Sequence, residues 1–156
     1  MPTGISPVAI AVAGLALVAG ALMLLTEVTT VISVELEPTR CEVIYDSSPD
    51  LADNCSQKGF ERHGTALLLL GLLTFAMGSG AAFGRSRPAA VALIAIGVVV
   101  LGLTLLRDLP ASDDTGLIGR DYAQASAQAG AGLWFELIGG LSAVAAGVVR
   151  LLRPTD

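Results

Sequence analysis

Four long apolar runs, separated by shorter charged segments, set the pattern along this chain. Residues 5–25 carry no charge in 21 positions, residues 64–83 none in 20, and residues 88–106 none in 19. Residues 130–149 carry one, Glu136. A helix needs roughly 20 residues to cross a hydrocarbon core of about 30 Å. Inside lipid every backbone N–H and C=O must find a partner, and a helix supplies one within a single segment. The pattern predicts an all-α membrane protein, a four-transmembrane-helix bundle forming one domain over 1–156. Its spans are 5–25, 64–83, 88–106 and 130–149. Its connections are 26–63, 84–87 and 107–129, with a tail at 150–156. The start, "MPTGISP", has no Lys or Arg, and the first run exceeds the usual 7–15 residues of a signal core, so it is expected to stay as a span.

The connection between the second and third spans, "GRSRP", carries Arg85 and Arg87, and the tail carries Arg150 and Arg153. Short basic segments stay in the cytoplasm. Both termini are therefore expected there, with the protein in the plasma membrane and the two long connections outside. Arg40, Lys58, Arg62, Arg107 and Arg120 fall in those outer connections, so loop length and cysteine placement weigh more than a raw count of bases. Cys41 and Cys55, the two cysteines present, share the first long connection. In an exoplasmic segment a disulfide is favoured over two free thiols. Closing such a loop contributes about 3 kcal/mol in the chain-entropy model. Two cysteines and the distant His63 fall short of four zinc ligands, so neither metal nor cofactor is expected.

The stretches "EVTTVISVELEP" and "CEVIYD" are rich in β-branched residues and suit strands. With a turn at Pro38 and Thr39 they predict a small disulfide-pinned extracellular β-hairpin/loop cap. The alternative is a first helix that continues past Glu27 toward Ser33. In the second connection, Asp113, Asp114, Thr115 and Gly116 read as a turn. "RDYAQASAQA" has helical propensity and is expected to extend the fourth helix.

Composition agrees with this picture: 53% hydrophobic, 15% charged, mean hydropathy +0.72. The segment 27–63 holds eight acids and three bases, and 107–121 four acids and two bases. An acidic outer face opposes nucleic acid. The acidic stretches at 46–50 and 53–55 lack the spacing of an EF-hand and read as solvated surface.

Glu136 is the candidate for chemistry. On a helical wheel it shares a face with Gly132, Gly139, Ala143 and Gly147, a small-residue face suited to close packing. Trp134, Leu137, Ile138, Leu141, Val144 and Val148 form the opposite, lipid-facing side. Gly64, Gly71 and Gly78, seven apart, offer a packing stripe on the second span. Glu136 falls about 9 Å from Gly130 along the helix axis, in the outer leaflet, with Trp134 in the interfacial belt. Arg62, His63 and Arg107 stand at neighbouring span ends as possible partners. An intramembrane acid costs about 2.5–3.5 kcal/mol at a helix centre on insertion scales. Two readings stay open: a proton- or ligand-responsive carboxylate, or one that ties helices together. No second buried acid and no chain of polar residues is expected beside it, which weakens a transporter reading. No hydrolase, zinc-protease, P-loop or dinucleotide motif occurs, so an enzyme is not expected.

The layout resembles the claudin-like tetraspan arrangement: four spans, a long first outer loop with strand character and two cysteines, a short inner loop. The claudin Trp and G-L-W signature ahead of the first Cys is absent, Trp134 being the single Trp. "GAGLWFELIGGLSAVAAGVVRLLR" resembles the closing span of small four-helix membrane proteins of high-GC bacteria, including the tryptophan-operon-associated transmembrane family. One Lys against eight Arg agrees with that origin. The resemblance implies the span layout and supplies no catalytic residues. The expected role is a non-catalytic accessory or scaffold protein of the bacterial envelope, its partners being the lipid bilayer and either further copies of itself or another envelope membrane protein. The rival is a small transporter or channel built on Glu136.

Overall fold

The computed structural model describes residues 6–36, 41, 55–121 and 123–153. Helix α1 runs Pro7–Val28, opened by Ser6, whose hydroxyl accepts from the Ala9 N–H, and by Pro7 in the first turn, a pair suited to a helix start. It ends 3 residues past the expected boundary and carries Glu27 into its last turn. Strand β1 (Thr30–Leu36) follows. Strand β2 (Ser56–Lys58) leads directly into the short helix α2 (Gly59–His63). Helix α3 spans Ala66–Ala82 and helix α4 Arg87–Leu103. Helix α4 continues through a π-helical turn, Thr104–Asp108, into a last turn α5 (Leu109–Ala111). Helix α6 (Gly116–Asp121), strand β3 (Ala125–Ala129) and helix α7 (Ala131–Leu152) complete the chain.

Three helical stretches are long and apolar enough to cross a bilayer: Pro7–Val28, Arg87–Ala111 and Ala131–Leu152. Helix α3 is equally apolar but has 17 residues. Many large apolar side chains point outward, among them Leu69, Leu72, Val98, Leu106 and Ile138, an arrangement that water penalises and lipid does not. The interior is correspondingly built from small residues. Helix α7 lies between α1 and α4, and α3 packs on α1 and, less extensively, on α4. Gly139 faces the Ala19 carbonyl of α1, while Gly140 and Gly147 face Gly97, Leu101 and Ala90 of α4. A Cβ on Gly97 would come within 2.6 Å of the Gly140 carbonyl oxygen. Val144, expected to meet lipid, packs on Gly97 instead, because α7 buries two flanks rather than one. Gly71 and Gly78 pack against Gly20 and Ala16 of α1. Gly64 does not join them: it ends α2 at φ +60° with open space around it, a conformation that glycine tolerates best. At the end where α3 stops, buried Arg150 of α7 donates from Nε to the Ala81 carbonyl at 2.8 Å. A cation there answers carbonyls left unpaired at a helix C-terminus.

The opposite end carries a cap. β1 is the centre of a three-stranded antiparallel sheet in the order β2–β1–β3. Ile32 to Leu36 pair in register with Ala129 to Ala125. The expected β1 strand is present, but its described partners are different. Residues 42–46 of the expected "CEVIYD" strand and the Pro38–Thr39 turn lie outside the described residues. The segment expected to extend the fourth helix is strand β3, because five residues of ladder with β1 outweigh the modest helical preference of Ala, Ser and Gln. Cys41 and Cys55 form a disulfide, buried with Val34, Leu36 and Ile118. Asp114 accepts from the Gly116 N–H at 2.8 Å, closing the expected turn.

Candidate functional site: a buried ion cluster beneath the cap

Helix ends converge under the sheet. Helix α2 brings Arg62 and His63, the π turn brings Thr104 and Asp108, and α7 brings Glu136. Pro110 accounts for the irregular turn: it has no N–H to donate and its ring crowds the carbonyl four residues before it. The helix widens there, and the Leu109 N–H reaches the Thr104 carbonyl. Val100, Thr104 and Asp108, spaced by four, are all buried on the inward side.

His63 is the hub. Its Nε2 lies 3.1 Å from Glu136 Oε1 and 3.5 Å from Asp108 Oδ2, and all three side chains are at most 1% exposed. The remaining carboxylate oxygens are held from outside. The Thr104 hydroxyl lies 3.2 Å from Glu136 Oε2 and 2.9 Å from the Val100 carbonyl, its proton serving one at a time. Arg62 donates from Nε to Asp108 Oδ1, from Nη1 to Gln57 Oε1 at 3.0 Å, and from Nη2 to the Arg107 carbonyl at 3.1 Å. His63 Nδ1 and Asp108 Oδ2 are buried without a hydrogen-bond partner among the described residues. One ligand atom from each of His63, Asp108 and Glu136 lies within 4.8 Å of the others.

A third buried acid is Glu27. Glu27, in the last turn of α1, accepts the Leu68 N–H at 2.7 Å. It thereby answers one of the unpaired donors at the start of α3, where a negative charge is stabilising. Above the cluster, a cavity of about 180 Å³ opens at the cap, lined by Ile32, Val34, Gln57, Arg62, Asp114 and Thr115 among others. Of its lining residues, Arg62 binds both Asp108 and Gln57. Below, Met23, Leu67, Ile96, Val100 and Ala143 close the interior.

No known protein family, curated protein or solved structure matches this chain.

The sequence-derived site residues are thus divided. Glu136 sits on the packed side of α7 with Gly132, Gly139, Ala143 and Gly147, all buried, and His63 meets it. Arg107 does not. It is exposed, and its Nη2 lies 3.5 Å from the Arg62 carbonyl. The basic residue at the cluster is Arg62, bound to Asp108. The expectation of a solitary buried acid is overturned by Asp108, 0% exposed, and by Glu27 at 6%. The third apolar run stops at 106, two residues short of Asp108. The i, i+4 series Ile96, Val100, Thr104, Asp108 is the signal in the sequence, running past the apolar run.

Proposed function

We propose that the protein is a non-catalytic accessory or scaffold protein of a bacterial plasma membrane, acting through its cap and its lipid-facing helix sides. It crosses the bilayer four times, α3 being the fourth span. At 1.5 Å per residue α3 reaches about 25 Å, near the lower limit for spanning. Both termini lie in the cytoplasm, where Arg85, Arg87, Arg150 and Arg153 cluster, and the cap lies outside with its disulfide. The bacterial origin and the kinship with small four-span membrane proteins rest on the excess of Arg over Lys and on the closing-span resemblance.

One observation carries this reading: strands from both long polar connections pair in a single sheet seated on the helix ends. Strands from both connections thereby share one surface with a cavity in it, while the connection at the other end is a tight turn around Arg85. Partners are a second copy or another envelope membrane protein. The test places a photo-crosslinker at Thr115 beside the cavity and at Ile138 on the exposed side of α7, in native membranes. Adducts of defined mass from either position support the reading. Free monomer from both, or tags on the two termini lying on opposite sides, refutes it.

The buried cluster favours a second reading, a small transporter or channel with Glu136 as the responsive group. The apolar layer of Met23, Leu67, Ile96, Val100 and Ala143 argues against a continuous path. Solute or ion flux in proteoliposomes that is abolished by Glu136→Gln would establish it in place of the first.

A further inference from the structure

The three side chains at the hub have a hydrogen-bonding imbalance. His63 Nε2 carries at most one proton, which can point at one oxygen. Glu136 Oε1, at 3.1 Å, is within hydrogen-bond reach. Asp108 Oδ2, at 3.5 Å and fully buried, has no donor among the described residues. An orphaned buried carboxylate oxygen is costly and calls for an explanation such as an ion. Even with His63 neutral, Arg62 offsets only one of the two carboxylate charges. Asp108 Oδ2, Glu136 Oε1 and His63 Nε2 converge. Each carboxylate's other oxygen is tied back, Asp108 Oδ1 by Arg62 and Glu136 Oε2 by Thr104. Metal sites use such outer partners to orient their ligands.

We infer that His63, Asp108 and Glu136 form a binding site for a divalent transition-metal cation, with Zn²⁺ the best match. One imidazole nitrogen and two carboxylate oxygens with an open position are a donor set that zinc accepts. Zn–ligand bonds of about 2.0–2.1 Å at tetrahedral angles set neighbouring ligand atoms about 3.3 Å apart. The 3.1 and 3.5 Å separations from Nε2 bracket that value. The cation satisfies both carboxylates at once, which a single proton cannot do. It joins α2, the π turn and α7 at one point. Arg62, which binds Asp108, also lines the cavity of about 180 Å³ at the cap. The inference goes beyond the accessory reading and does not depend on it.

The test uses the full chain in detergent or nanodiscs, purified without a histidine tag and stripped with chelator. ZnCl₂ is titrated against a fluorescent zinc indicator, with MnCl₂, MgCl₂ and CaCl₂ in parallel. The expected result is one Zn²⁺ per chain, bound more tightly than Mg²⁺ or Ca²⁺. His63→Ala and Asp108→Asn should each weaken binding by more than a hundredfold. Thr104→Val, which touches only an outer partner, should weaken it by about 10–100-fold. X-ray absorption of the zinc-loaded parent guards against variants that fail to fold. It should report a nitrogen and oxygen shell at about 2.0–2.1 Å that includes imidazole and excludes sulfur. Absence of stoichiometric zinc in the parent, a shell without imidazole, or full binding in a folded His63→Ala chain overturns the inference.

Discussion

Replacing Arg62 with Met is the sharpest test of how the cap end is held. Arg62 makes three hydrogen bonds, to Asp108, Gln57 and the Arg107 carbonyl. Its side chain is 13% exposed and that of Asp108 is 0% exposed, so water cannot take over when the guanidinium is lost. Removing one member of a buried pair leaves the other charge uncompensated, at a cost of about 3–5 kcal/mol. At about 1.4 kcal/mol per factor of ten, that exceeds a hundredfold change in the unfolding equilibrium. The Arg62→Met/Asp108→Asn double variant removes both charges of that pair and should recover at least half of the loss. The assay is reversible unfolding in bicelles with chelator present, followed by the fluorescence of Trp134 and run as a double-mutant cycle. Chelator keeps any bound cation from masking the effect. If Arg62→Met falls within about 0.5 kcal/mol of the parent, as surface ion pairs do, the account of a desolvated pair is wrong. A double variant no more stable than Arg62→Met would sink it equally.

Three further outcomes are expected. Converting both Cys41 and Cys55 to Ser removes a cross-link between positions 14 apart and should cost about 3 kcal/mol in the chain-entropy model; hydrogen exchange should accelerate in β1 and β2 and stay unchanged in α4. Glu27→Ala should cost about 1–2 kcal/mol by uncapping α3 at Leu68, with Glu27→Gln costing less because an amide oxygen still accepts; equal losses in the two variants would contradict the capping role. Gly97→Leu forces a side chain into the Gly140 backbone and should cost at least about 1–3 kcal/mol, whereas Gly102→Leu, facing open space, should remain within about 0.5 kcal/mol in the same unfolding assay.

Much of this protein is legible in its sequence, for a simple reason. A bilayer imposes one long-range rule, that a crossing segment be apolar and helical, and the rule is written locally in runs of residues. The three long helices, the small-residue side of α7 and the Asx turn at Asp114 follow from spacing and residue type. The pairing of Cys41 with Cys55 follows from their sharing one connection. Tertiary structure alone decided the rest of the cap end. Ala125–Ala129 became a strand because β1 offered it a ladder. Asp108 entered the interior past the apolar run because Arg62 received its carboxylate. Glu27 entered the interior because α3 began beside it. Each of these outcomes depends on a partner tens of residues away, and buried polar groups are settled by partners rather than by hydropathy. Local pattern therefore predicts where the chain meets lipid, and only the folded arrangement brings His63, Asp108 and Glu136 to one point.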